Sequence, residues 1–260
     1  LVVVLGCLGV VGLAAGAVPR EKSLTRIAFG SCNRHDQEQP MWRSIVASRP
    51  DLWIWLGDIV YANTRNMHLM QQKYEAQKEH PEYQLLLETC PVIGTWDDHD
   101  YGKNNGGKEY DKKEQSQQIL LDFLDEEADS PRRRQQGVFA SYTYGPEGQQ
   151  VKVILLDTRY HRGEQGEKGD VLGAEQWAWL ERELSRSKAS VHLIGSSIQV
   201  LPEEHPYEKW ANFPRARQRL FALIGDSGAP GVIFLSGDRH LGEISRLEHS
   251  AISYLLYEIT

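Results

Sequence analysis

Residues 96–102 read Trp-Asp-Asp-His-Asp-Tyr-Gly, so Asp97, Asp98 and Asp100 crowd around the imidazole of His99. Carboxylates this close repel one another, and burial amplifies the repulsion unless a positive charge sits among them. Similar groups recur along the chain. Gly57-Asp58 precedes Tyr61, Gly237-Asp238 leads into Arg239 and His240, Gly30-Ser31 leads into Cys32, and Asp157 is followed by Arg159. Aspartates are hard oxygen donors, while imidazole and thiolate are softer ligands, and such a mixed set suits a metal site. A phenolate such as that of Tyr61 suits a trivalent iron. The glycines before Asp58 and Asp238 allow tight turns.

The elements that must position these groups are short apolar runs. Strands are expected at 52–56, 91–95, 151–156, 191–195 and 232–235, with another running into Gly30. They are too short for helices and too apolar for half-exposed strands, which fits buried central strands. Helical spacing falls at 41–48, 66–77, 112–127, 174–187 and 214–224, the last opening on Pro214. Alternating strands and helices predict an α/β layered domain. In such sheets ligands gather beyond the carboxyl ends of the strands. Cys32, Asp58, Asp98, His99, Asp157, Arg159, Asp238 and His240 all fall at that edge, too many for solvated turns.

The chain has 260 residues, a length that suits one large domain or two small ones, and a formal net charge of -7, which argues against a general nucleic-acid binder. Residues 1–18 are uncharged, and Ala15-Gly16-Ala17 fits a secretory cleavage pattern, so residues 1–17 are expected to be a signal peptide. A membrane anchor and a lipoprotein signal at Cys7 are the alternatives. Export predicts a secreted, periplasmic or cell-surface protein. Cys32 and Cys90 would then meet an oxidising compartment, where a disulfide between them competes with a ligand role for Cys32. Arg132-Arg133-Arg134 reads as a solvated loop, 102–108 as a Gly- and Asn-rich loop, and His192 as a core or edge histidine.

Taken together, Gly-Asp-x-x-Tyr at 57–61, Asp-Asp-His-Asp at 97–100 and Gly-Asp-Arg-His at 237–240 resemble the calcineurin-like metallophosphoesterase superfamily. Gly30-Ser31-Cys32, Leu-Asp-Thr-Arg at 156–159 and Glu-Gln-Trp-Ala-Trp-Leu at 175–180 further resemble PhoD-type alkaline phosphatases and phosphodiesterases. The resemblance implies a four-layer α/β/β/α sandwich over residues 24–260, cut short at its C-terminus. It also implies a metal-dependent phosphoesterase that hydrolyses phosphomonoesters or phosphodiesters by a metal-bound hydroxide. Asp58 would bridge two metals. Cys32, Tyr61 and His240 would complete an Fe(3+) site, and Asp98 and Asp238 would hold Ca(2+), with Asn104 or Asn105 as a further calcium contact. His99 would protonate the leaving alkoxide, and Arg159 or Arg239 would bind the non-bridging oxygens. Asp97 and Asp100 would support the ligands.

The chain departs from the pattern where the superfamily has a metal-binding histidine, because residues 195–199 read Gly-Ser-Ser-Ile-Gln. PhoD-type chains also continue beyond the Tyr-Glu-Ile-Thr that ends this one, which reads as a fragment lacking an outer strand. The expected partner is a small-molecule or polymeric phosphate ester, with no protein partner evident. The alternatives are a phospholipase- or teichoic-acid-type diesterase and a catalytically silent binding protein on the same fold.

Overall fold

Residues 22–260 are described by a computed structural model, and the export segment expected at 1–17 lies outside them. Strands β1 (Ile27–Gly30), β2 (Leu52–Leu56) and β3 (Val92–Thr95) form a parallel sheet in that order. A second sheet has six strands: β4 (Ala140–Tyr144), β5 (Val151–Leu155), β6 (Val191–Ser196), β7 (Val232–Ser236), β8 (Ile244–Leu247) and β9 (Leu256–Ile259). Its order is β4-β5-β6-β7-β9-β8, parallel except for β4 and β8 at the two edges.

The helices are α1 (Met41–Ala47), α2 (Met67–Lys78), α3 (Pro81–Thr89), the single turn α4 (Asp98–Tyr101), α5 (Lys113–Phe123), α6 (Gly173–Ser185) and α7 (Pro214–Ser227). Strand alternation sorts the layers. Leu52, Ile54 and Leu56 of β2 meet Val153, Leu155 and Leu193 between the two sheets. Trp53 and Trp55 point the other way, into an aromatic layer with Trp42, Tyr83 and Phe123 beneath α1, α2, α3 and α5. On the far side, Ile154, Ile194 and Phe234 pack against Trp177, Leu180 and Phe221 of α6 and α7. The layers therefore run helix, sheet, sheet, helix, as the resemblance implied. Among the described residues, no helix is long and apolar enough to cross a membrane.

Local chemistry sets the element ends. The Asn66 side chain accepts from Leu69 N at 3.2 Å and caps α2. Pro81 and Pro214 open α3 and α7, where a missing N–H costs nothing. Helix α5 stops at Phe123 rather than at 127, because Asp125 turns left-handed (φ 55°) and pairs with Lys78. Helix α3 and strand β4 lie where no element was expected, and the turn α4 lies in a stretch read as a loop. Turn α4 is held from below: Asp100 accepts from Asp97 N at 3.1 Å and from Val60 N at 2.9 Å.

Cys32 and Cys90 are free. Cys32 follows the carboxyl end of β1 and Cys90 precedes the amino end of β3, so a parallel sheet holds them at opposite edges.

Candidate active site

At the carboxyl ends of β1, β2 and β7 the backbone is forced into conformations that non-glycine residues rarely adopt. Cys32 (φ 57°), Asp58 (φ 50°), Asp238 (φ 67°) and His240 (φ 54°) are all left-handed. Such conformations cost of order 1–3 kcal/mol each and persist where surrounding structure enforces them. Gly57 has φ 96°, and a Cβ there would lie 2.4 Å from Asp97 Cβ, so only glycine lets the β2 and β3 loops meet.

The loops converge on Asp58. Its carboxylate belongs to three groups whose ligand atoms lie within 4.8 Å of one another: Cys32 with His240, Asp98 with His99, and Asp97 with Asp238. Cys32 Sγ is 3.6 Å from Asp58 Oδ2. Tyr61 Oη lies 2.8 Å from His240 Nε2, and its ring lies 4.1 Å from that of His99, tilted by 33°. His99 Nδ1 is 2.8 Å from Asn63 Oδ1, and its Nε2 is 3.9 Å from Asp98 Oδ1.

The electrostatics of the protein alone are unfavourable to charge here. Burial and then the neighbouring Asp97, Asp100 and Asp98 push Asp58 well above the usual carboxylate range. Burial also raises Asp97, against the opposing pull of Arg159. It pushes Asp100 to about 7 and Asp238 to about 6. Burial raises the Cys32 thiol and the Tyr61 phenol and lowers the His99 imidazole. Cations within the cluster would invert this logic. Two buried acceptors, Asp97 Oδ2 and Asp98 Oδ1, have no hydrogen-bond partner, so the donor set fits metal ions on its own chemistry.

A cleft of about 590 Å³ opens over the cluster, lined by Asp58, Asp98, His99, Asp238, Arg239 and His240. Asn104 and Asn105 also border it, and Asn105 N donates to Asp98 Oδ2 at 2.6 Å. Tyr207 forms a wall, with the Arg239 guanidinium 4.1 Å above its ring. Cys32 borders a neighbouring hollow of about 330 Å³ that shares Arg239 and His240.

Arg159 departs from the expected geometry. It is wholly buried beneath the cluster rather than exposed to a ligand in the cleft. Its Nε donates to Asp97 Oδ1 at 2.5 Å and its Nη1 to Glu208 Oε2 at 2.6 Å. Asp157 shapes the loop around it, accepting from Val138 N, Arg159 N and Tyr160 N at 2.8–2.9 Å. Ser197, in the 195–199 loop, donates to Asp97 Oδ1 at 2.6 Å.

The remaining expected residues, Cys32, Asp58, Tyr61, Asp98, His99, Asp238, Arg239 and His240, are brought to one rim. Three contributors have contacts that the sequence reading did not assign to them. Asn63 ends the motif stretch 57–63 but was given no role, and Glu208 lies outside the motifs with no local pattern to mark it. Asp97 was read as support, yet one of its oxygens faces Asp58 and Asp238 unpartnered.

The sequence profile of the PhoD-like phosphatases matches residues 27–255. Alkaline phosphatase D of Bacillus subtilis (strain 168) is 21% identical over 273 aligned positions, covering 85% of this chain and 46% of that protein. The solved structure of PhoD superposes with a TM-score of 0.75 at 19% identity, covering 92% of this chain and 56% of the other. A dimetal phosphatase from Danio rerio superposes at 0.59 with 15% identity, covering 90% and 85%. The chain thus spans about half the length of the first two relatives.

Proposed function

Because the chain belongs to the PhoD-like phosphatase family, we propose that it hydrolyses phosphomonoesters or phosphodiesters with a metal centre built on Asp58. The observation that carries this reading is the sharing of Asp58 among three ligand groups beneath an open cleft. Cys32, Tyr61 and His240 would hold Fe(3+) on one side of Asp58, while Asp98 and Asp238, joined by Asp97, would hold Ca(2+) on the other. Two cations there supply charge neutralisation at phosphorus and activation of water for in-line attack.

The chain's own groups do the rest. Arg239, steadied on Tyr207, faces the cleft and binds phosphate oxygens. His99 exchanges a proton with the leaving oxygen at Nε2, while Asn63 holds its Nδ1. Arg159 acts through Asp97 rather than on the phosphate. In this reading the protein works outside the cytoplasm, supported only by the apolar pattern of residues 1–18.

The test is hydrolysis of a chromogenic monoester and a chromogenic diester by the full-length protein, with elemental analysis of the same sample. Turnover of at least one ester by protein carrying iron and calcium is expected. Full turnover by metal-free protein, or inertness toward both esters with metals bound, overturns the reading.

A further inference from the structure

We infer that Arg159, clamped by Glu208, is a cation built into the fold that balances the acidic cluster before metal arrives, and that incoming ions take over this work. The inference rests on the metal-centre reading above. A buried guanidinium is costly to desolvate and persists only where close partners compensate. Arg159 has no exposed surface, and its partners are Asp97 and Glu208. Glu208 is itself held by Arg162 at 3.1 Å and is nearly as buried.

The charges do not balance. Arg159 and Arg162 bring two positive charges and Glu208 one negative, a net of one positive (2 − 1 = 1). Against it stand five carboxyl groups, Asp58, Asp97, Asp98 and Asp238 with Asp100 buried beside them. Arg159 therefore holds Asp97 in place and offsets part of the repulsion, and the remainder is left for metal ions. Glu208 sets how much of the Arg159 charge the cluster feels. Because Glu208 also lines the cleft beside Tyr207, the adjustment is made from the substrate wall.

This arrangement predicts opposite signs for two substitutions. Arg159→Gln keeps a hydrogen-bond donor but removes the charge. The chelator-stripped protein should then lose stability, and calcium plus iron should restore it. The metal-induced rise in Tm should exceed that of the unaltered protein by roughly 4 °C or more. Glu208→Gln leaves the Arg159 charge uncompensated toward the cluster, so its metal-induced rise should be smaller than that of the unaltered protein. Arg159→Lys, which retains the charge, should return the rise toward the unaltered value.

The measurement is thermal unfolding of full-length protein, stripped and reloaded, with metal content determined on each sample. Equal metal-induced rises in the Arg159→Gln, Glu208→Gln and unaltered proteins overturn the inference while leaving the metal centre intact. Absence of any metal response in the unaltered protein overturns the metal reading itself, and this inference with it. If Arg159→Gln does not fold even with metal, the sign for Glu208→Gln decides: a smaller rise supports the counter-cation and an equal or larger one refutes it.

Discussion

Strand β2 runs through two regions with opposite character. Its middle carries Trp55, which is almost wholly buried, with its ring centroid 5.2 Å from Trp53 and 5.5 Å from Trp42, and donates through Nε1 to Tyr83 Oη at 3.1 Å. Just beyond its end lies Asp58, equally buried but left-handed in backbone and surrounded by like charges. Mid-strand, side chain and environment agree. At the rim they conflict, and local conflict held in place by the surrounding fold is a common mark of a functional site. The difference teaches that burial alone says little here. What matters is whether the buried group is satisfied by the protein or waits for a ligand.

Two substitutions separate these regions. Asp58→Asn should lower kcat/KM for a phosphate ester by at least about 10³-fold, or ~4 kcal/mol in the barrier. It should also reduce bound metal. In chelator-stripped protein the same change should not lower Tm, because it replaces a carboxyl group whose charge the metal-free site disfavours. Steady-state kinetics, elemental analysis and a melting curve on one preparation check all three. Loss of both activity and metal-free stability would place Asp58 among ordinary structural residues. Trp55→Ala should do the reverse: unfolding in urea should cost about 3–5 kcal/mol less, while metal content per folded chain stays unchanged. A fall in metal content at full folding would erase the distinction between strand middle and strand end.

The rim was legible in sequence because its motifs are local. A glycine, an aspartate and a nearby tyrosine or histidine sit within one loop each, and every loop follows an apolar run that reads as a buried strand. The layer order came from the resemblance those motifs carry. What was not legible depends on distant pairs. Arg159 sits next to Thr158 and Tyr160 in sequence, and nothing there indicates that Asp97 and Glu208 enclose it. Asn63 reaches His99 only because β2 and β3 are neighbours in the sheet. Helix α3 escaped notice because its nine residues show little periodic contrast, and β4 because its strand is half exposed along most of its length.

The second sheet's cations sharpen the comparison further. Arg239 is partly exposed at the cleft, whereas Arg159 is sealed beneath it. Arg239→Ala should reduce kcat/KM by roughly 10–100-fold, on the order of 1.4–2.7 kcal/mol, with stability changed by less than about 0.5 kcal/mol. Arg239→Lys should recover only part of the loss, since a point charge does not reproduce a planar fork on Tyr207. Paired kinetic and urea-unfolding measurements decide this. Equal activity of Arg239→Ala and the unaltered protein would remove Arg239 from substrate binding.

The smallest expected effect concerns a buried histidine that the protein does satisfy. His192 at the start of β6 is wholly buried, with Nδ1 2.8 Å from Pro230 O and Nε2 2.8 Å from Ser187 Oγ. Those partners fit a neutral ring that donates from Nδ1 and accepts at Nε2. Burial lowers its pKa below the ordinary 6.5, so the folded protein resists a proton that the unfolded chain accepts. Its contribution is therefore fully present above that ordinary value. It declines as pH falls through it toward the folded value and levels off below. Comparing the urea midpoints of the unaltered protein and His192→Gln between pH 8 and pH 5 should show a steeper fall in the unaltered protein. Ester hydrolysis per folded molecule should be the same in both at pH 8. His99 differs from His192 in both burial and position, because it is part exposed and its second nitrogen looks onto the cleft, while that of His192 ends on a serine. A His192 variant that lost activity without losing stability would break this distinction.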